Sequence, residues 1–124
     1  MAQEGEMFIC QIKIEVRQYK TDEFVTSIRS FLHKILKERG CLGYDMYRGF
    51  EKENIFILVG EWKTRQAMEK HFQTLDFEVL IGAAKVLGKT FTMNIAEVSE
   101  NGGFQWVSEL IMSKKQKSTK KSRA

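Results

Sequence analysis

The sequence predicts an α+β domain whose elements follow the order βαββαβ. Strand patterns of period two and helical stripes of period 3.6 alternate along the first hundred residues. Strands and helices in this order form the ferredoxin-like arrangement, in which one antiparallel sheet carries both helices on the same face. A further observation is that the strand at residues 55–62 is apolar on both faces, which bears on quaternary structure.

The first strand and the first helix are complementary. Residues 8–17, FICQIKIEVR, alternate apolar and polar side chains, which is typical of a half-buried strand. Thr21 or Asp22 is expected to cap the following helix, which is predicted to end at Gly40. Its apolar stripe, on which the strand can pack, consists of Phe24, Ile28, Phe31, Leu32 and Ile35.

The second helical region is interrupted. Thr64 is expected to cap its first part, and a second helical pattern starts at Asp76, where that residue acts as a cap, and ends near Gly88. Residues 90–98, TFTMNIAEV, are predicted to form the fourth strand. One face of this strand carries Phe91, Met93 and Ile95.

The strand at 55–62, IFILVGEW, needs cover on both of its faces. It is expected to form a hairpin with the strand at 43–50 through the polar loop EKEN. Helices on one side of the sheet cover only one face, and an exposed apolar patch on the other face normally marks an interface. A second copy of the chain in a closed two-fold pair is the simplest cover. The sequence therefore predicts a homodimer.

The C-terminal part of the chain changes character after Gly102 and Gly103. The segment FQWVSELIM at 104–112 fits a strand nearly as well as a helix, so its type stays open. A segment this apolar is expected to dock on its own domain or on the dimer partner. The chain is accordingly divided into a folded domain at 1–100, an apolar extension at 101–113 and a basic, disordered tail at 114–124.

The net charge of +4 on 124 residues belongs to this tail. Six of the twenty basic residues lie in the last eleven positions, without an acidic residue, and the rest of the chain carries about −2. Such a tail can bind nucleic acid nonspecifically, but no aromatic residues are interleaved with its lysines for base stacking. Nucleic acid is therefore not the expected partner.

Several classes of protein find no support in the sequence. The N-terminal MAQEGEMF lacks the pattern of an export signal, and no apolar stretch is long enough to cross a membrane, so the expected location is the cytoplasm without membrane contact. Cys10 and Cys41 lack zinc-site spacing and are expected to be free thiols. Phosphate-loop, dinucleotide-binding and hydrolase motifs do not occur.

Four segments resemble the landmark segments of the antibiotic biosynthesis monooxygenase domain, and most closely its quinol monooxygenases. They are ILKERGCLGYDMYR at 35–48, ILVGEW at 57–62, AMEKHFQTLDF at 67–77 and FTMNIAEV at 91–98. The resemblance implies a dimeric α+β barrel built from two ferredoxin-like chains. It also implies oxygenation of electron-rich phenols, anthrones or hydroquinones by dioxygen, with no flavin, metal or other cofactor.

The resemblance also nominates two catalytic residues. Trp62 corresponds to the tryptophan of the E-W pair, although a core aromatic at the end of a strand is the alternative. His71, in the segment EKHF, is the candidate proton acceptor, with a surface or core histidine as the alternative. Many relatives carry a second histidine where this chain has Asp76. Haem-degrading relatives place an iron ligand where this chain has Ile81, which argues against that activity.

Three further residues are candidate substrate contacts. Phe72 follows the histidine, and Tyr44 and Asn94 lie on predicted strands with side chains that can donate hydrogen bonds to a quinol oxygen. The alternative for Asn94 is a sheet residue that faces the interior of the dimer. Tyr47 lies on the face opposite to Tyr44, so only one of the two tyrosines can share a pocket. His33 lies off the apolar stripe of its helix and is expected to be exposed.

Two functions remain open at the level of the sequence. The first is a cofactor-independent monooxygenase that acts on a quinol-like or polycyclic phenolic small molecule. The second is a dimer of the same fold that binds small aromatic molecules, or serves in stress, without turnover. The sequence has no dense cluster of polar residues, which is compatible with the second, non-catalytic function.

Overall fold

The computed structural model describes the backbone of residues 7–123 and the side chains of residues 7–116. The predicted βαββαβ order is confirmed, with the second helical region split in two and a further helix at the C-terminal end. The elements are β1 (Phe8–Val16), a single 3-10 turn (Gln18–Lys20), α1 (Thr21–Leu36), β2 (Cys41–Arg48), β3 (Ile55–Trp62), α2 (Arg65–Phe72), α3 (Leu75–Leu87), β4 (Gly88–Glu97) and α4 (Phe104–Arg123).

The four strands form one antiparallel sheet in the order β2-β3-β1-β4. This is the ferredoxin-like topology that the sequence predicts. In its centre Ile12 lies opposite Leu58 on one side and Met93 on the other, so these three side chains share a face. The register therefore puts the alternating apolar residues of β1 and β3 on the same face of the sheet.

Helices α1, α2 and α3 cover that face, which we call the helix face. The alternation of β1 appears directly as alternating burial, and Ile14 and Leu58 are completely buried. From the helices, Phe24, Ile28 and Leu80 complete the same core. Burying large apolar side chains in this way contributes about 1.5–3 kcal/mol each to folding.

On the opposite face of the sheet, the open face, no helix provides such cover within the part of the chain that the structure describes. Ile55, Ile57 and Val59 of β3 are only half-buried there, while Phe56 and Leu58 on the helix face are buried. Tyr47 of β2 lies opposite Ile57 and is 56% exposed. The two-faced character of β3 is thus confirmed, and one protomer leaves an apolar strip on its surface.

Helix α1 begins and ends differently from the prediction. Its N-cap position is Lys20, which makes no side-chain capping bond, and Thr21 is already helical and donates its hydroxyl to the carbonyl oxygen of Gln18 at 2.9 Å. The preceding 3-10 turn takes over the role of a cap because it leads the chain directly into the helix. The helix ends at Leu36, and Gly40 lies beyond it in a turn with φ of 84°.

The caps of α2 and α3 explain the interruption between them. Thr64 caps α2 as predicted and accepts a hydrogen bond from the Ala67 amide at 3.1 Å. The cap of α3 is Thr74, which accepts from the Phe77 amide at 3.1 Å, so the prediction of Asp76 as cap is wrong. Asp76 lies in the first turn of α3 instead, where its charge suits the positive end of the helix dipole.

The C-terminal segment is a helix, which decides the alternative that the sequence left open. Its apolar side chains do not dock on the domain, because Phe104, Trp106 and Leu110 are 75%, 49% and 61% exposed. The helix continues to Arg123 through the lysine-rich segment for which composition predicts disorder. No glycine or proline interrupts residues 104–123, and lysine and glutamine are good helix formers.

Candidate functional site

Trp62 is the residue around which the candidate site is built. It ends β3, lies opposite Phe8 of β1 and points to the helix face, where its side chain is completely buried. Its position follows from the period of the strand, since Phe56, Leu58 and Trp62 share one parity. The indole forms the edge of the core here, and α2 packs above it.

His71 is the residue of α2 that packs on this indole. The two ring centroids are 4.5 Å apart and the rings are inclined by 28°, which is a stacked arrangement. His71 is 2% exposed. The sequence alternatives of core and site are therefore not exclusive, because the histidine is part of the core and contacts the candidate tryptophan directly.

Glu38 forms a hydrogen bond with the edge of the histidine ring. Its Oε1 lies 2.8 Å from His71 Nδ1 and its side chain is 19% exposed. A carboxylate only accepts hydrogen bonds, so Nδ1 carries the proton and the neutral ring has its basic lone pair on Nε2. Glu38 lies in the turn after α1, and sequence reasoning missed it because 33 residues separate it from His71.

Burial decides the charge state of the histidine. It lowers the pKa of His71 from 6.5, and the hydrogen bond and charge of Glu38 raise that pKa without reversing the shift. The ring is therefore neutral at pH 7. A neutral imidazole oriented by a carboxylate is a competent proton acceptor.

Three more aromatic rings enclose the pair. The centroids of Tyr44, Phe72 and Phe77 lie 5.7, 5.7 and 5.0 Å from that of His71. Sequence analysis nominated Tyr44 and Phe72 and missed Phe77, whose only signal is its position at the end of the family-like segment. Burial raises the pKa of Tyr44, so its hydroxyl stays protonated and can donate.

The indole N–H of Trp62 is buried and has no hydrogen-bond partner among the described residues. It lies above Gly60, where an added Cβ would come within 3.0 Å of Nε1 and 2.8 Å of the Tyr44 ring. A buried donor without an acceptor costs about 1–3 kcal/mol. The site thus contains a donor that an incoming oxygen atom can satisfy.

Asn94 does not belong to this constellation. It lies opposite Gln11 in the register of β1 and β4, so its side chain is on the open face, where it is exposed. Phe91 and Met93, of opposite parity, occupy the helix face. The structure therefore brings together Trp62, His71, Tyr44 and Phe72 and separates Asn94 from them.

The described part of the chain offers few groups for other kinds of chemistry. Within it, no group of three or more histidine, cysteine or acidic side chains could hold a metal ion. Cys10 and Cys41 are free thiols, as predicted, and burial raises the pKa of Cys10 to about 11. None of the described helices is long and apolar enough to cross a membrane.

We expect the buried histidine to make stability depend on pH. The pKa of His71 is lower in the folded protein than its ordinary value of 6.5, so the unfolded chain takes up this proton more readily. The contribution of the neutral ring is fully present above pH 6.5 and is lost as pH falls toward the folded pKa. Urea unfolding at about pH 7.5 and about pH 5.5 measures this loss.

Two variants test whether the loss of stability at low pH comes from His71. His71→Phe keeps an aromatic ring on Trp62 and removes the titrating group, so we expect a smaller loss of unfolding free energy on acidification than in the parent protein. The exposed His33 offers the matched control, since His33→Phe leaves the loss unchanged. An equal loss in all three proteins would contradict the prediction.

The sequence and the fold were compared with known proteins. The pattern that defines the family "Antibiotic biosynthesis monooxygenase" matches residues 7–82. This match covers more than half of the chain and contains every residue of the aromatic site. The chain belongs to the antibiotic biosynthesis monooxygenase family.

Individual proteins are also similar to this chain in sequence or in fold. YcnE of Bacillus subtilis (strain 168), which carries a provisional monooxygenase name, is 30% identical over 81 residues, or 65% of this chain and 85% of YcnE. The protein sll1783 of Synechocystis is 30% identical over 88 residues, or 70% of this chain and 60% of sll1783. A crystal structure of a conserved protein from Methanosarcina mazei Go1 superimposes with a TM-score of 0.72 at 24% identity, over 77% of this chain and 96% of that one.

The residues that match the antibiotic biosynthesis monooxygenase family run from β1 through most of α3. Strand β4 and helix α4 come after the matched range. Glu38, Trp62 and His71 therefore come from the part of the chain that defines the family. Helix α4 lies outside it. The monooxygenase class is thus supported by homology and the helix-face site by geometry.

Proposed function

We propose that this protein is a cofactor-independent monooxygenase that acts on a quinol-like or polycyclic phenolic small molecule. One oxygen atom of dioxygen forms a new C–O bond to the substrate and the other leaves as water. The substrate supplies all the electrons, so a hydroquinone becomes a hydroxyquinone and an anthrone becomes an anthraquinone. The observation that carries the proposal is the neutral, carboxylate-oriented His71 stacked on an indole whose N–H is buried and unpaired.

Each member of the site has a role in this reaction. His71 accepts the phenolic proton on Nε2, which turns the substrate into an anion that is more easily oxidised by dioxygen. The N–H of Trp62 and the hydroxyl of Tyr44 donate to the resulting oxyanion. The surrounding phenylalanines exclude water and provide apolar walls for a planar ring.

Oxygen uptake tests the proposal. The purified protein, treated with a chelator, is incubated with a panel of hydroquinones and anthrones, and uptake is followed with an oxygen electrode. Isotopically labelled dioxygen then shows whether one atom is retained in the product. The matched control is Tyr47→Phe, because this tyrosine lies on the open face, whereas Tyr44→Phe removes a proposed donor. No uptake above buffer across the panel contradicts the proposal.

The burial of Trp62 and His71 favours a second candidate function. Trp62 and His71 are 0% and 2% exposed, and Asp76 stands where many relatives carry a second histidine. A dimeric domain that binds aromatic small molecules without turnover is compatible with this geometry. Aromatic ligands would then raise the melting temperature and be recovered unchanged, as mass spectrometry can establish.

We further propose that the protein is a homodimer in which two sheets meet through their open faces. The half-buried strip of Ile55, Ile57 and Val59 supports this arrangement, because a second copy is a simple cover for it. Two-fold pairing of this kind would close the dimeric α+β barrel that the family resemblance implies.

We expect Val59→Lys to shift the protein from dimer to monomer in sedimentation at micromolar concentration. The substitution places a charge in the middle of the open face, where pairing would bury it without a partner. Val86→Lys is the matched control, because Val86 lies on the surface of α3 and is 72% exposed. A parent protein that sediments as a monomer, or a Val59→Lys variant that sediments as a dimer, contradicts the prediction.

A further inference from the structure

A surface pocket lies at the corner between α2 and α3. Its volume is about 520 Å³, and its walls include Phe72 at the end of α2, the α3 cap Thr74, and Phe77, Ile81 and Gly82 of α3. Glu78 and Lys85 stand at the same pocket, so it carries one charge of each sign. The pocket is large enough for a small aromatic molecule and is mostly apolar along Phe72, Phe77 and Ile81.

Two side chains separate this pocket from the buried site. Phe72 and Phe77 line the pocket, and the same two rings contact the His71 ring at centroid distances of 5.7 and 5.0 Å. Their own centroids are 4.9 Å apart, and both side chains are only partly buried. Trp62 stacks on the same His71 ring at a centroid distance of 4.5 Å. The pair of phenylalanines is therefore a wall one side chain thick.

One hydroxyl links the backbone of His71, at the end of α2, to that of Phe77 in α3. Thr74 Oγ1 donates to the carbonyl oxygen of His71 at 2.8 Å and accepts from the amide of Phe77 at 3.1 Å. Only Gln73 and Thr74 connect the two helices. The backbone of the corner is thus fixed while the two rings can change rotamer, and partly exposed side chains do so in picoseconds to nanoseconds.

We propose that the corner pocket is the outer binding site for a planar aromatic phenol, and that Phe72 and Phe77 form the gate through which it reaches Trp62 and His71. This inference rests on the proposed function. Apolar faces of the ligand lie against Phe72, Phe77 and Ile81, and its hydroxyl groups face Lys85 and Glu78. Rotation of the two rings opens the passage, and Thr74 keeps the corner folded meanwhile.

Tryptophan fluorescence reports on the gate without any turnover. The chain contains two tryptophans, so Trp106→Phe leaves Trp62 as the single emitter. Acrylamide, a small neutral quencher, is expected to quench Trp62 weakly in this background and several-fold more strongly after Phe77→Ala. Phe31→Ala is the matched control, because it removes a partly buried phenylalanine of α1 that is packed against the same core. Circular dichroism establishes that each variant is folded.

A blocking variant tests the pocket itself. Gly82 lines the pocket from α3 with nothing within 4 Å of an added Cβ, so Gly82→Leu adds an apolar side chain at the pocket wall from an open position and improves helix propensity. We expect Gly82→Leu to suppress the additional quenching caused by Phe77→Ala. For any phenol that is oxidised, we expect it to raise KM several-fold and leave kcat nearly unchanged, whereas Val86→Leu, on the exposed surface of α3 outside the pocket, changes neither.

The outcomes separate this inference from the proposed function. Equal quenching in Phe77→Ala and Phe31→Ala, or quenching and KM that do not respond to Gly82→Leu, overturns the gate even if oxygen uptake is observed. The expected quenching pattern together with no oxygen uptake supports the route and contradicts the monooxygenase activity.

Discussion

His71→Phe should retain the fold and lose activity by about 10²- to 10⁴-fold in kcat/KM, which is the usual contribution of a general base. Phenylalanine preserves a ring beside Trp62 and Phe77 but has no nitrogen to accept a proton. Glu38 loses its partner, and because its side chain is 19% exposed, water can replace the lost hydrogen bond. Steady-state oxygen uptake with the best substrate of the panel measures the loss.

Glu38→Gln distinguishes a positioning role from a merely structural one. The amide oxygen still accepts from Nδ1, but the negative charge that raises the pKa of His71 is gone. The pKa of His71 should therefore fall further, and the acid limb of the profile of kcat/KM against pH should move to lower pH. His33→Phe is the control for the histidine substitution. A profile that stays in place, or a fully active His71→Phe, contradicts the assigned roles.

Trp62→Ala should cost about 3–5 kcal/mol of unfolding free energy, the range for removal of a large buried aromatic side chain. The indole is completely buried and supports the His71 ring, so its loss opens a cavity under α2. Urea unfolding measures the difference from the parent protein. Trp106→Ala removes an exposed tryptophan of α4 and should change stability by less than about 0.5 kcal/mol.

Trp62→Phe separates the packing of this residue from its donor. It keeps an aromatic ring and removes an N–H that has no described partner, so the loss of stability should be much smaller than for Trp62→Ala. Loss of a donor to the oxyanion should nevertheless lower kcat by about 10²-fold or more. A Trp62→Phe variant with full activity would leave Trp62 with a structural role only.

Local pattern was enough for the sheet and for part of the site. The alternation of β1 and the double apolar character of β3 predicted which faces are buried, and parity separated Tyr44 from Tyr47 before the fold was known. The same parity already places Asn94 opposite to Met93, and applying it to β4 would have removed Asn94 from the candidate site.

The exact ends of the helices could not be predicted, because several neighbouring residues compete for the same capping position. Several threonines and aspartates can cap a helix, and the choice of Thr74 over Asp76 follows from the hydrogen bonds that its hydroxyl makes to both neighbouring helices. The lysine-rich end of α4 is helical to Arg123, although composition predicts disorder there, because its residue types favour continuation of an existing helix.

By itself, the sequence determined the order of the elements, the register of burial along each strand and the presence of a tryptophan and a histidine in family-like segments. Only the tertiary structure decided that Glu38 orients His71, that Phe77 joins the aromatic wall and that the indole N–H has no acceptor among the described residues. The physical reason is that these features depend on contacts between residues far apart in the sequence. Periodicity records how each residue faces its own element, whereas a charge state or an unpaired donor depends on what packing brings from distant parts of the chain.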